Sequence, residues 1–481
     1  LNPPHAPLGS SPSLARIIPR EQHPISRQHI SPDALRVLYR LKDAGFQAFL
    51  VGGCVRDLLL GVTPKDFDVA TDALPEQVKK LFRNCRLVGR RFRLAHVFFG
   101  RETIEVATFR AAAAPPPGED PAPDADADGD EEYEESAGAE RESDFDAETE
   151  EGERVTDAEG RILRDNVYGS IDEDVWRRDF TANALYYNIA DFSVWDYVGG
   201  VEDVRARRLR LIGDPETRYR EDPVRMLRAA RFEAKLGFTV DGATAEPILR
   251  LRELLAGVPP ARLFDETLKL FLAGHGLRSL EVLRARGLLA ALLPCVDDVL
   301  ARHPDTPMVW LLRRGLENTD QRVAEGRSVT PTFLFAVLLY GPVALAIEQQ
   351  PRERWTDTQT ILDAVDGAVR EVLRRVAVPK RFTLGVRDMF AMQPRLESPR
   401  GRRALRLLEH PKFRAALDLL QLRAEAGMAH PDIVRWWEML QQASPEERER
   451  LAGASSQQRS REGGARRGGS RRRRRPRSQA R

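Results

Sequence analysis

Cysteine is scarce in this chain. Its 481 residues include three, Cys54, Cys85 and Cys295, and their spacing fits neither a disulfide framework nor a zinc site. A reducing compartment, the cytoplasm, is the expectation. Long apolar runs are missing too. None reaches the roughly 20 residues that span a bilayer, and the opening Leu1-Asn2-Pro3-Pro4 lacks the apolar stretch of a secretion signal. Neither a membrane-spanning protein nor a disulfide-stabilised secreted domain is expected.

Charge of one sign also looks absent, since the formal net charge is only +2. That figure hides three regions. Residues 111–160 hold twenty acidic residues against two arginines, and Arg459–Arg481 holds eleven arginines against one glutamate. Without these two segments the remainder is about +10, the balance of a protein that handles polyanions. The acidic segment, rich in Ala, Pro, Asp and Glu, cannot bury enough apolar area to offset its ordering entropy. It is expected to be a disordered insertion in a surface loop.

What the sequence does contain is punctuated and periodic. Ser31-Pro32-Asp33 reads as a helix start, with Ala34, Val37, Leu38 and Leu41 at helical spacing and Gly45 as the stop. Residues 46–51 read as a strand and residues 75–83 as a helix. His96–Phe99 and Thr103–Thr108 flank Gly100-Arg101, a hairpin signal. Beyond Tyr219 the pattern is helical, with leucine-rich segments at 223–236, 262–274, 278–292, 332–348, 358–376 and 402–426.

Chemistry concentrates after the first strand. Gly52-Gly53 and Arg56 precede Lys65-Asp66-Phe67-Asp68. On a strand Asp66 and Asp68 point one way and Phe67 the other. Two carboxylates on one face repel unless a hard cation lies between them, and magnesium is held by one or two carboxylates plus substrate phosphates. The glycines let backbone N–H groups approach those phosphates, and Arg56 and Lys65 add positive charge. The bland alternative, two solvent-facing strand residues, is disfavoured by the glycine pair and Arg56 just upstream. Glu105 shares a face with Thr103 and Ala107 and is a candidate third carboxylate. His96 reads as a packed core histidine.

From about Pro19 to about Trp437 the chain resembles the bacterial branch of the class II nucleotidyltransferases, which contains poly(A) polymerases and CCA-adding tRNA nucleotidyltransferases. The motifs that carry the resemblance are Gly52-Gly53…Arg56-Asp57 with Asp66-Phe67-Asp68, then Arg177-Arg178-Asp179-Phe180-Thr181-Ala182-Asn183, then Glu221-Asp222-Pro223-Val224-Arg225-Met226-Leu227-Arg228. Ile17-Ile18-Pro19-Arg20, the run Cys85–His96, Leu408–Ala416 and the arginine tail are more similar to the poly(A) polymerases. The resemblance implies an α+β fold, with a mixed-sheet palm over residues 31–218 after an extension over 1–30. A helical neck over 219–275 and a helical RNA-binding body over 276–445 follow, and then a disordered basic tail over 446–481.

For the site, the resemblance implies that Asp66 and Asp68 hold Mg2+, or Mn2+ in its place. It makes Asp179, with Arg178 and Asn183, the ribose-binding motif. Asp222 and Arg225, three apart and hence on one helical face, could read the edge of adenine or cytosine and reject G and U, with Arg228 one turn on. Their bland alternative is an ordinary ion pair. The expected activity is addition of AMP from ATP to RNA 3′ ends by a monomeric enzyme, with RNA-chaperone or RNA-decay proteins as partners. RNA would cross the basic cleft between palm and body. A CCA-adding enzyme and a non-catalytic RNA-binding protein are the alternatives.

The arginine tail has no apolar partners with which to form a core, so its contribution must come from a polyanion or from nothing. Truncation after about Glu446 is expected to weaken RNA binding. Measured against salt, log affinity of the full chain should fall more steeply than that of the truncated one, by about 0.7 for each phosphate the tail engages. Identical slopes would make the tail a bystander.

Overall fold

The computed structural model describes residues 15–89, 93–111, 154–156, 162–165, 167–399 and 401–453. Most of the acidic segment and all of the arginine-rich stretch from Arg459 lie outside these residues. The chain divides into two compact units, residues 1–259 and 260–481. The division falls inside the stretch read from the sequence as the neck.

The first unit is built on one mixed sheet of eight strands: β1 (Arg16–Ile18), β2 (Ala48–Val51), β3 (Asp68–Thr71), β4 (Cys85–Val88), β5 (Leu94–Phe99), β6 (Glu102–Thr108), β9 (Leu185–Asn188) and β10 (Val194–Asp196). Their order across the sheet is β1-β10-β9-β2-β3-β6-β5-β4. Only β3 and β6 run parallel; the other neighbours are antiparallel. A separate antiparallel pair, β7 (Arg154–Thr156) and β8 (Ile162–Asp165), places a described strand inside the acidic stretch.

Helix α1 (Pro32–Asp43) forms where Ser31 and Pro32 place it, with the Ser31 hydroxyl accepting from the amides of Asp33 and Ala34. It buries Ala34, Val37, Leu38 and Leu41 and packs on β2 and β3. Because β2 is buried along its whole length, both faces of the sheet are covered there. Phe49, Val51 and Ala70 pack in one cluster with Ile171 and Val175 of α4 (Ile171–Arg177), Tyr186 and Tyr197. Helices α2 (Gly53–Leu59) and α3 (Pro75–Leu81) follow their strands, α5 (Gly200–Arg205) follows β10, and α6 (Pro215–Glu221), α7 (Val224–Leu236) and α8 (Gly242–Leu251) complete the unit.

The described part of the second unit is helical, as the leucine pattern implies. Several segments read as single helices are pairs: 278–292 breaks at Arg286-Gly287, 332–348 at Leu339 and 402–426 at His410-Pro411. The longest helices, Pro307–Ala324 and Lys380–Glu397, carry enough charged residues to dilute the apolar stripe. Pro260 and Pro294 start helices instead of ending them, where a missing N–H costs nothing. No single helix among the described residues is long and apolar enough to cross a membrane.

Gly200 in the first unit is fixed by close approach. Gly200 starts α5 against the loop at Thr181, and a Cβ on it would collide with the Thr181 carbonyl oxygen. Thr181 is also held by buried Asp203, whose carboxylate accepts from the Thr181 hydroxyl and from Arg208 and Arg210. Gly200→Ala is therefore expected to cost about 1–3 kcal/mol, the range of overpacking, and to lower the melting temperature measurably. An unchanged melting temperature would contradict this packing.

Candidate active site

The site is assembled at the end of β2. Gly52 takes φ +78°, a conformation that side-chain-bearing residues rarely adopt, and so turns the chain sharply from strand into α2. A Cβ placed there would lie 3.8 Å from Arg178 Nη1, 3.8 Å from the Asn183 carbonyl oxygen and 4.0 Å from Asp68 Oδ2. These motifs are far apart in the chain and meet around this turn.

Asp68 is the first residue of β3, so Asp66 lies just outside the strand that the sequence suggested for both. The alternation nevertheless persists: Asp66 is exposed, Phe67 buried and Asp68 half-buried. Asp68 pairs in register with Val51 of β2 and with Glu105 of β6. Burial, followed by the charge of Glu105, pushes the Asp68 carboxyl up to about 6; Arg178 opposes this, and Asp66 adds a smaller upward effect. Glu105 faces outward with Thr103 and Ala107, and its side chain is 51% exposed. His96 is not packed in the core. It is half-buried on β5, with Nε2 3.8 Å from Glu105 Oε1.

Among the described residues no three His, Cys, Asp or Glu side chains are gathered as a ready-made metal cage. A repelling carboxylate set beside an open approach suits magnesium instead, which leaves coordination positions for substrate phosphates. Asp66 and Asp68 are the residues that would hold it.

Arg56 departs from the expectation that it offers charge to a phosphate. It is 2% exposed, with Nη1 donating to Asn183 Oδ1 at 2.5 Å and Nε to Asp57 Oδ1 at 2.9 Å. A guanidinium so deeply buried needs such partners, and its charge is answered within the protein. Lys65 is exposed.

The Arg-Arg-Asp motif closes the site. Arg178 Nε donates to the Tyr186 hydroxyl at 2.8 Å, and Nη2 donates to Asp174 Oδ2 at 2.9 Å. Burial lowers its pKa, but Tyr186 and Asp174 outweigh that and hold the guanidinium more firmly charged than usual. Asp179 is largely buried, its side chain 11% exposed, and accepts from the Phe180 amide (2.7 Å), Asn183 Nδ2 (3.3 Å), and Arg228 Nε (2.8 Å) and Nη2 (2.6 Å). Burial alone would raise its pKa; the Arg228 guanidinium, with the Phe180 amide and Asn183, more than offsets this and keeps the carboxylate ionised. Those four donors occupy all its acceptor directions.

Asp222 and Arg225 do not share a helix. Asp222 is extended at the end of α6, and its carboxylate accepts from the Val224 amide as α7 begins. Arg225 in the first turn of α7 donates to Glu221 at 3.0 Å and to the Arg218 carbonyl at 2.7 Å. The extended backbone at Asp222 and Pro223 after it divide the two helices, which spacing alone does not reveal.

Four supporting residues were not anticipated: Asp174, Tyr186, Arg218 and Asp203. Arg218 donates to the Arg178 carbonyl at 2.8 Å and so fixes the motif's backbone. Asp174 could have been found, because it lies four residues before Arg178 on a helix. Tyr186, Arg218 and Asp203 carry no such local signal.

Fold and site together define a nucleotidyltransferase. Family models agree: "Poly A polymerase head domain" matches residues 48–210, "Probable RNA and SrmB- binding site of polymerase A" residues 237–300, and "Polymerase A arginine-rich C-terminus" residues 353–479. The chain is 48% identical over 441 residues to poly(A) polymerase I of Salmonella typhi, covering 90% of this chain and 87% of that one. Against poly(A) polymerase I of Haemophilus influenzae the identity is 43%, covering 90% of each. The chain belongs to the poly(A) polymerase I family of class II nucleotidyltransferases. A CCA-adding enzyme of Lactobacillus helveticus is more distant, 33% identical over 52% of each chain. A solved tRNA-processing enzyme with CTP shares the fold, with a TM-score of 0.54, 21% identity and coverage of 88% of this chain and 98% of that one.

The burial of Arg56 makes a specific expectation. Arg56→Lys keeps the charge but cannot fork to both Asn183 and Asp57. It should destabilise the protein by about 2 kcal/mol, the scale of a lost charged hydrogen bond. A wild-type melting temperature in this variant would contradict this account of Arg56.

Proposed function

We propose that this protein adds AMP from ATP to RNA 3′ ends without a template, releasing pyrophosphate. What carries this reading is the extent of the sequence match: sequence likeness to poly(A) polymerase I runs through 90% of the chain, whereas sequence likeness to the CCA-adding enzyme reaches about half. Bases alone do not decide the matter, because a carboxylate and a guanidinium such as Asp222 and Arg225 suit adenine and cytosine equally.

Phosphoryl transfer needs mainly positioning and neutralisation of charge. In this reading the Gly52 turn brings backbone close to the triphosphate, and Arg178, anchored by Asp174 and Tyr186, faces it. Bound divalent cations, held by Asp66 and Asp68, would activate the primer 3′-hydroxyl and stabilise the leaving pyrophosphate. Glu105, beside Asp68, contributes to the same negative field.

Asp179 is the ribose-reading residue here. Since four N–H donors fill its acceptor directions, a sugar hydroxyl must replace one, and the longest contact, from Asn183 at 3.3 Å, is the one to yield. Asn183 remains held by Arg56 while that exchange occurs. Asp222 and Arg225 read the base after separating from their present contacts with Val224 and Glu221. RNA approaches the 3′-hydroxyl position at Asp66 and Asp68.

With ATP and a generic RNA, long heterogeneous products are expected, and CTP should be a poor substrate. Asp68→Asn should reduce turnover about a thousandfold, or about 4 kcal/mol of transition-state stabilisation, with RNA binding retained. Three-nucleotide additions confined to tRNA and requiring CTP would move the activity to the CCA-adding class, and near-normal turnover in Asp68→Asn would remove the proposed site.

A further inference from the structure

Phe232 is an apolar residue surrounded by the site's cations. It lies on α7 and is 8% exposed. The guanidinium carbons of Arg231, Arg228 and Arg56 stand 4.8, 5.5 and 5.7 Å from its ring centroid. On the side of the Arg-Arg-Asp motif, Phe180 meets the same ring edge-on, with centroids 5.6 Å apart and planes at 81°.

Two of these arginines are the outer members of the network built above. Arg56 holds Asn183, Asn183 donates to Asp179, and Asp179 is clasped by Arg228. Phe232 contacts both ends of that chain and closes it into a ring. Three guanidinium groups gathered in a small volume repel one another. An aromatic face offsets this, because its quadrupole attracts cations within about 6 Å and does so more strongly where water is excluded. An aliphatic side chain of similar size fills the space without that attraction.

We propose that Phe232 is a positioning residue for nucleotide selection: its ring sets the separation of Arg56 and Arg228, and thereby the alignment of Asn183 and Asp179 at the ribose. The sugar end of this proposal rests on the reading of Asp179 given above. Phe232 touches neither substrate nor metal in it; it acts through the two arginines.

The test compares Phe232→Leu, Phe232→Tyr and the full chain carrying pentafluorophenylalanine at position 232, which keeps the shape and reverses the ring's quadrupole. The Leu and pentafluoro variants should lower kcat/KM for ATP roughly tenfold, the effect of a desolvated cation–π contact, mainly through KM, with RNA affinity unchanged. Phe232→Tyr should recover most of the loss. In an Arg228→Gln background, Phe232→Leu should remove little more, since the cation it positions is already gone. Should Phe232→Leu fail to fold, the pentafluoro protein carries the same comparison at constant shape. Additive losses in the double variant, equal losses for Leu and Tyr, or normal kinetics with the pentafluoro ring would each overturn the proposal. Asp179→Asn, assayed alongside for ATP against dATP, separates the two readings. Retained preference for ATP in that variant would dismiss the ribose role of Asp179, while the coupling between positions 232 and 228 would still decide the role of Phe232.

Discussion

A buried guanidinium without partners is among the most costly things a protein can contain, and the first unit is organised around satisfying one. Arg56 is taken out of water by its place in α2 and must find acceptors inside. It finds Asp57 beside it and Asn183, 127 residues further on. Asn183 in turn reaches Asp179, and Asp179 reaches Arg228 on α7. Segments that the chain separates widely are tied by this sequence of charge-assisted bonds. Loss of any link leaves a buried polar group unsatisfied, which costs more than the link itself is worth.

This arrangement divides the motif residues into two classes. Arg56, Asn183 and Arg228 act mostly on one another and on Asp179. Asp68 and Arg178 stand beside the turn at Gly52, with Asp66 adding its charge near Asp68, and Asp68 is held above the usual range of its type first by burial and then by the charge of Glu105. In the function proposed above, which depends on charge placement, the first class would supply rigidity and the second the field. Gly52 can serve as the pivot because its positive φ admits the turn and its missing side chain leaves the approach open.

Much of the fold was legible because it rests on local rules. Ser31-Pro32 starts a helix through cap geometry, and Gly100-Arg101 joins β5 and β6 as a hairpin. Period-two burial put Asp68 and Glu105 on the faces they occupy. The errors share one origin, the direction of a side chain or a break in a helix that distant residues determine. Arg56 has the composition of a phosphate ligand, and only the fold reveals that Asn183 waits for it inside. Asp222 and Arg225 have helical spacing, but the junction of α6 and α7 passes between them. His96 has apolar neighbours in sequence, yet its strand partner is Glu105. The network that closes on Phe232 joins positions 56, 179, 183 and 228, and no local pattern announces it.

The most direct measurement is localisation of the divalent cation with a cleaving probe. Iron(II) substituted for magnesium in the full chain, with ATP bound, generates hydroxyl radicals that cut nearby backbone. Cuts are expected around Gly52-Gly53, Asp66-Phe67-Asp68 and Glu105, intensified by ATP and suppressed by excess magnesium. An ATP-dependent cleavage pattern confined to other segments, with none at these three, would contradict the assignment of the site.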